Sequence, residues 1–228
     1  PIVVRDYLKI RPDWLMIGRI LGIGIPSGVE NSMFQLGKLA IQSTVSTLGT
    51  VAIAAQAMTN ILENLNGIAG IGVGVGLMTI VGQCMGANRK DEAVYYIKKL
   101  SVIAEVTIIV SCLLVFILTR PVTMLGGMEK TSADMCWHMV MWITIVKPIM
   151  WVLAFVPAYG LRAAGDVKFS MISSCAVMWL CRFCLSVLLI RGLGFGPMGV
   201  WIGMFADWTV RAVLFTWRFH SRKWLEHK

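Results

Sequence analysis

The sequence predicts an all-α polytopic membrane protein of six transmembrane helices, on three observations. Of the 228 residues, 57% are apolar and only 14% charged, about half the charged share of a soluble domain, and the mean hydropathy is +0.74. The charges cluster, leaving apolar stretches of about 20 residues, long enough at ~1.5 Å per residue to cross a ~30 Å hydrocarbon layer. The basic residues sit at the ends of those stretches and favour alternate ends. The first two observations argue against a soluble enzyme and against disorder. The third argues against nucleic acid as a partner despite the net charge of +9, because nucleic-acid binders gather Lys and Arg on one solvated face.

Residues 1–15 are mixed and basic, with Arg5, Lys9 and Arg11, and form a lead-in that places Trp14 at headgroup depth. The first span covers about 16–41. Lys38 and Arg89 then bracket 50 residues without a basic side chain, too long for one membrane crossing, so the chain folds back at the polar, Gly-containing stretch 43–50. The second span covers 51–81, and Gly86-Ala87-Asn88 followed by charged residues ends it. The third covers 94–118 and is broken by Arg120, Pro121 and Gly126-Gly127. The fourth covers 133–158 and carries Pro148 and Pro157 as kink sites. A short loop at 162–168 leads to the fifth span, 169–190. The breaker from Gly192 to Pro197 separates it from the sixth, 198–219, and a basic tail follows. Together these make a single transmembrane lobe over 1–228. The chain begins with Pro rather than Met, and it reads as the C-terminal half of a longer polypeptide.

Fourteen basic residues lie on the lead-in, the 83–99 and 162–168 loops and the tail; three, Arg120, Lys130 and Arg191, lie on the opposite set. That bias places both termini in the cytoplasm, in a multi-pass protein of the cell membrane. The six cysteines fall mostly within apolar spans without the paired spacing of a disulfide framework. Even the C-x-x-C of Cys181 and Cys184 lies mid-helix, so they read as packing residues. No metal or cofactor is expected.

An ionisable group inside a span is a functional candidate. Asp207 and Arg211, at i and i+4, can form a structural ion pair, with Arg182 as its expected third member. Glu105 can pair with Lys98 or Lys99. Lys147 precedes Pro148 and can either be satisfied locally by a freed carbonyl or face a cavity. In the first span, where Pro26 is expected to interrupt the helix, Asn31, Gln35, Lys38 and Gln42 fall on one stripe with Glu30 nearby. In the second, Asn60, Glu63, Asn64 and Gly67 share a face. Two neighbouring helices thus present carboxylates and amides to the protein interior, either as a sealed network or as the wall of a water-filled chamber into which Glu30 looks. Phe34 and Met33 would supply soft apolar contact there. The glycines at 67, 70, 72, 74 and 76 suit close helix packing.

With these residues in view, the sequence resembles the carboxyl-terminal half of a multidrug and toxic compound extrusion (MATE) transporter. The resemblance rests on Pro26-Ser27-Gly28-Val29-Glu30, Leu48-Gly49-Thr50 with Ala54-Ala55, the run from Gly82 to Ala87, the run from Leu161 to Asp166, and Gly199-Val200-Trp201 with Asp207-Trp208. It implies one six-helix lobe of a two-lobe exporter that works by alternating access and exchanges organic cations or drugs for H+ or Na+, with binding near the midplane. The coupling carboxylate of such transporters carries over to Glu30, and we group Glu63 with it. The expected substrate cavity comprises Asn31, Phe34, Gln35, Lys38, Asn60, Asn64 and Lys147. The family's second acidic residue, on the helix matching the fourth span, has no counterpart here; the mid-span ionisable group is Lys147.

The expected function is therefore cation-coupled antiport of a cationic, amphipathic small molecule across the bilayer, with an N-terminal six-helix lobe or a second copy completing the transporter. Two alternatives are a lipid-linked oligosaccharide flippase of the wider superfamily, which would need several basic residues in the cavity, and a non-transporting membrane scaffold. An enzyme is not expected, since neither H-E-x-x-H nor G-x-S-x-G occurs and the histidines are scattered.

Overall fold

The computed structural model describes residues 13–226. The expected lead-in residues Arg5, Lys9 and Arg11, and Lys228 of the tail, lie outside the described residues. Six long helices follow one another: α1 (Trp14–Val45), α2 (Thr50–Gly86), α3 (Lys90–Leu125), α4 (Lys130–Ala163), α5 (Val167–Arg191) and α6 (Met198–His220). Helices α2 to α6 are each long and apolar enough to cross a membrane. In α1 the polar residues Glu30, Asn31, Gln35 and Lys38 dilute the apolar character.

Local signals fix the helix ends. The Asp13 carboxylate accepts from the Leu15 and Met16 amides at 3.0 and 3.2 Å, capping α1. The α1–α2 connection is one 3-10 turn, Ser46–Leu48, closed by Gly49 at φ 91°, a conformation that favours glycine. Asn88, at φ 57°, ends α2 by letting the Arg89 amide reach the Cys84 carbonyl at 2.8 Å. Pro26 does not interrupt α1, and Pro121 does not end α3: both helices run through. A proline removes one N–H from the ladder and bends the helix there, but neighbouring rungs and packing preserve it.

Helices α2, α3, α4 and α6 share the main core, around Leu77, Ile108, Met139, Ile143, Trp201 and Trp208. The approach is close because α2 offers glycines. A Cβ on Gly70 would lie 2.8 Å from the Trp151 ring, and one on Gly74 would lie 2.5 Å from the Tyr159 ring. Gly72 and Gly76 face open space instead. A smaller cluster of Ile41, Val45, Met178, Ile190 and Val200 fastens α1 to α5 and α6. Helix α1 packs along α5 and touches α2 little, so the two helices splay apart beyond their shared turn. On α3, Val106, Val110, Leu113 and Ile117 face outward, a surface suited to lipid rather than water.

Helix α5 contains one wide turn, a π-helical segment at Met178–Cys184. Such turns re-aim side chains and are frequent at functional sites. Gly203 of α6 fits against this turn: a Cβ there would collide with Ser186 Oγ and lie 3.0 Å from the Arg182 carbonyl.

Candidate functional site: a polar cleft between α1 and α2

The gap left by the splayed helices is a cleft of about 490 Å³. Helix α1 contributes Gln35, Lys38, Ile41 and Gln42; α2 contributes Gln56, Asn60, Glu63 and Asn64; Arg182 of α5 and Val200 of α6 close the back. The spacings of three and four residues put each set on one helix face. A second chamber, of about 180 Å³, shares Lys38, Glu63, Asn64 and Arg182 with the first and is walled by Phe34, Trp151, Phe155, Tyr159 and Trp208. One end is therefore lined by amides and the other by aromatic rings.

Of the expected cavity residues, Gln35, Lys38, Asn60 and Asn64 line the main chamber and Phe34 the aromatic one. Asn31 is exposed and lies outside the lining of both. Lys147 does not face the cavity. It is fully buried and donates to the Glu63 carbonyl at 2.9 Å, to the Glu63 carboxylate at 2.6 Å and to the Asn66 side-chain oxygen. Local satisfaction is what Lys147 has, with the acceptors on α2 rather than on its own helix, which runs on through Pro148; the α2 face can accept because Gly67 leaves room for the ammonium.

Glu30 differs from expectation most. It does not look into the cleft: Arg162, near the end of α4, donates to its Oε1 from Nη2 at 2.5 Å, with the two side chains 25% and 12% exposed respectively. The Arg162 Nε donates to Ser170 Oγ at 2.8 Å, so this guanidinium ties α1, α4 and α5 together. Asp207 and Arg211 form the expected pair, Nε to Oδ1 at 2.9 Å, and Arg211 also donates to the Ser174 carbonyl at 3.0 Å. Arg182 is not its third member, because among the described residues no ion pair joins Arg182 to Asp207. The wide turn of α5 carries its guanidinium to the cleft instead, 5.3 Å from the centre of the Phe34 ring. Glu105 has no ion pair among the described residues; Lys99 turns to the Tyr95 hydroxyl at 3.3 Å.

A family model described as MatE matches residues 26–188. The chain belongs to the MatE family. This MatE chain is 24% identical over 233 residues to the "Probable multidrug resistance protein NorM" of Thermotoga maritima, covering 98% of itself and 49% of that protein. It superposes on an outward-facing multidrug resistance MATE family transporter with a TM-score of 0.83 at 15% identity, covering 95% of itself and 49% of that chain. A MOP superfamily transporter from Pyrococcus furiosus Vc1, reported with a binding pocket of reverse polarity, shares the fold at TM-score 0.77 and 23% identity, over 90% of this chain and 45% of that one. The chain thus spans about half the length of the curated relatives it matches, as one lobe of a two-lobe fold does.

Several site residues of this MatE lobe escaped the sequence reading. Gln56 is one, oriented by the Trp201 indole N–H at 3.0 Å. The aromatic wall is another, although it had a signal: Lys147, Trp151, Phe155 and Tyr159 recur every four residues on α4. That stripe ends beside Arg162, whose pairing with Glu30 spans 132 positions of sequence and left no local trace.

Proposed function

We propose that this lobe forms half of a membrane antiporter that carries an amphipathic small molecule through the α1–α2 cleft by alternating access, and that a coupling ion, H+ or Na+, acts at Glu30. The observation that carries this reading is the cleft itself: side-chain amides and ionisable groups at the depth of a membrane-spanning bundle, held open by two helices that part after a tight turn. Polar groups at that depth are costly unless they meet water or a solute.

The coupling follows from the Glu30–Arg162 pair. A proton or sodium ion on the Glu30 carboxylate removes the charge that holds Arg162. The pair is part-buried, neither sealed in the core nor fully in water, so it can bias a two-state helix position and still be released when its charge is neutralised. Release frees α1 from the ends of α4 and α5 and changes the width of the cleft. A guest that fits only the latched cleft and an ion that binds only the unlatched one exclude each other, which is exchange. Glu63, held by Lys147, fixes the opposite wall rather than binding the ion.

With the preceding lobe or a second copy opposite it, the chain would sit in the cell membrane with both ends in the cytoplasm. The flippase alternative gains from Arg182 in the cleft and loses Lys147. The test is transport: an imposed H+ or Na+ gradient across proteoliposomes drives accumulation of an anionic or a cationic amphipathic dye, and neither gradient moving either dye would refute the proposal.

A further inference from the structure

The cleft holds two cations and no carboxylate free to balance them. Each acid around it has a cation partner within the lobe, Glu63 with Lys147 at 2.6 Å, Asp207 with Arg211 at 2.9 Å and Glu30 with Arg162 at 2.5 Å, although Asp207 Oδ2 is left buried without a hydrogen bond. Lys38 and Arg182 remain, and both rest on one ring, with Lys38 Nζ 5.0 Å and Arg182 Cζ 5.3 Å from the centre of Phe34.

Arg182 is the more informative of the two. It is only 8% exposed, its Nε is buried without an acceptor, and among the described residues its guanidinium forms no ion pair, lying 5.3 Å from the centre of the Phe34 ring. A guanidinium taken out of water with no acceptor is strongly disfavoured, and a phenyl face does not replace a carboxylate. The side chain opens onto the cleft, where it forms part of the wall of both chambers. The terminal guanidinium nitrogens, which are not sealed from the cleft as Nε is, can meet an acceptor there. Beyond Arg182 the smaller chamber is aromatic, with Trp151 and Phe155 stacked at 5.0 Å, so the guest that satisfies both ends carries an acid group and a ring system. The combined space suits a small organic molecule.

We infer that the solute of this cleft is an amphipathic organic anion, its carboxylate, sulfonate or phosphate held between Arg182 and Lys38 and its rings against Trp151, Phe155 and Tyr159. This rests on the solute-carrying reading above and adds the sign of the guest, opposite to the cationic one expected from the sequence. The cationic reading drew on carboxylates that the fold has already paired.

Two xanthene dyes of similar shape and opposite charge, fluorescein and rhodamine 123, test the sign. Their binding to the purified protein in phosphatidylcholine nanodiscs is read by fluorescence polarisation, with empty nanodiscs subtracted. Fluorescein is expected to bind about tenfold or more tightly than rhodamine 123, the factor a charge-assisted hydrogen bond supplies. R182Q and K38Q are each expected to weaken fluorescein by a similar factor and not to weaken rhodamine 123, from whose path each removes a like charge. Lys38 lies at the exposed rim, so K38Q keeps the test decisive if R182Q fails to fold. Preference for rhodamine 123, or fluorescein binding unaffected by K38Q, overturns the anion assignment while the solute-carrying reading stands; binding of neither dye overturns both. Replacing half the lipid with phosphatidylglycerol separates two sources of the acid group: displaced fluorescein assigns the anion site to lipid headgroups, retained fluorescein to a free solute, and both outcomes keep an anion at Arg182.

Discussion

Arg162 and Glu30, on α4 and α1, are joined at 2.5 Å, and the same guanidinium donates to Ser170 of α5. One side chain thus fastens three helices where α1 has little other support on the α2 side. R162Q should broaden the distance distribution between spin labels on α1 and α4, and the exchanged pair E30R/R162E should narrow it again. An unchanged distribution in R162Q would mean that packing alone positions α1.

Lys147 has no exposed surface and serves three acceptors on α2. K147M keeps the stem volume but strands the Glu63 carboxylate, so it should lower stability by about 3–5 kcal/mol, the cost of breaking a buried pair from one side. Adding E63Q should recover much of that loss. Thermal unfolding of the two variants measures the difference, and equal stability of K147M and the parent would contradict the structural role given to this residue.

Close packing of α2 on α4 depends on Gly74, where a Cβ would stand 2.5 Å from the Tyr159 ring. G74A should cost about 1–3 kcal/mol through overpacking, whereas G72A, which faces open space, should be neutral or slightly stabilising. Melting temperatures in one detergent compare the pair directly.

If the cleft is wet, cysteines at its wall react. In a background without the native cysteines, Q35C, N60C and N64C should be modified by a membrane-impermeant thiol reagent, while T59C, fully buried on α2, should be protected. Uniform protection would favour a sealed scaffold.

The fold was legible because bilayer thickness imposes segment lengths and the chain's charges mark their ends. All six helices occur where the sequence places them; the first four run up to seven residues past the expected bounds into flanking polar turns, and the last two differ by two residues or fewer at either end. The polar faces of α1 and α2 were legible for the same reason: amides spaced by three and four residues cannot face lipid. Pairing across the bundle was not. The partner of Glu30 lies 132 residues away and that of Lys147 lies 84, and no periodicity within a helix reports which face of another helix it meets. Arg182 is another case: nothing local to its own helix reports whether it meets the Asp207–Arg211 pair, and it sits in the π-helical turn at Met178–Cys184 with its guanidinium beside Phe34.

The coupling role of Glu30 is tested most directly by E30Q in proteoliposomes under an imposed H+ or Na+ gradient, with membrane insertion checked in parallel. The amide cannot exchange a proton and loses the charge that holds Arg162, so gradient-driven dye movement should fall to the level of empty liposomes while the protein inserts normally. Undiminished movement in E30Q would contradict the account and remove the Glu30–Arg162 latch from the mechanism.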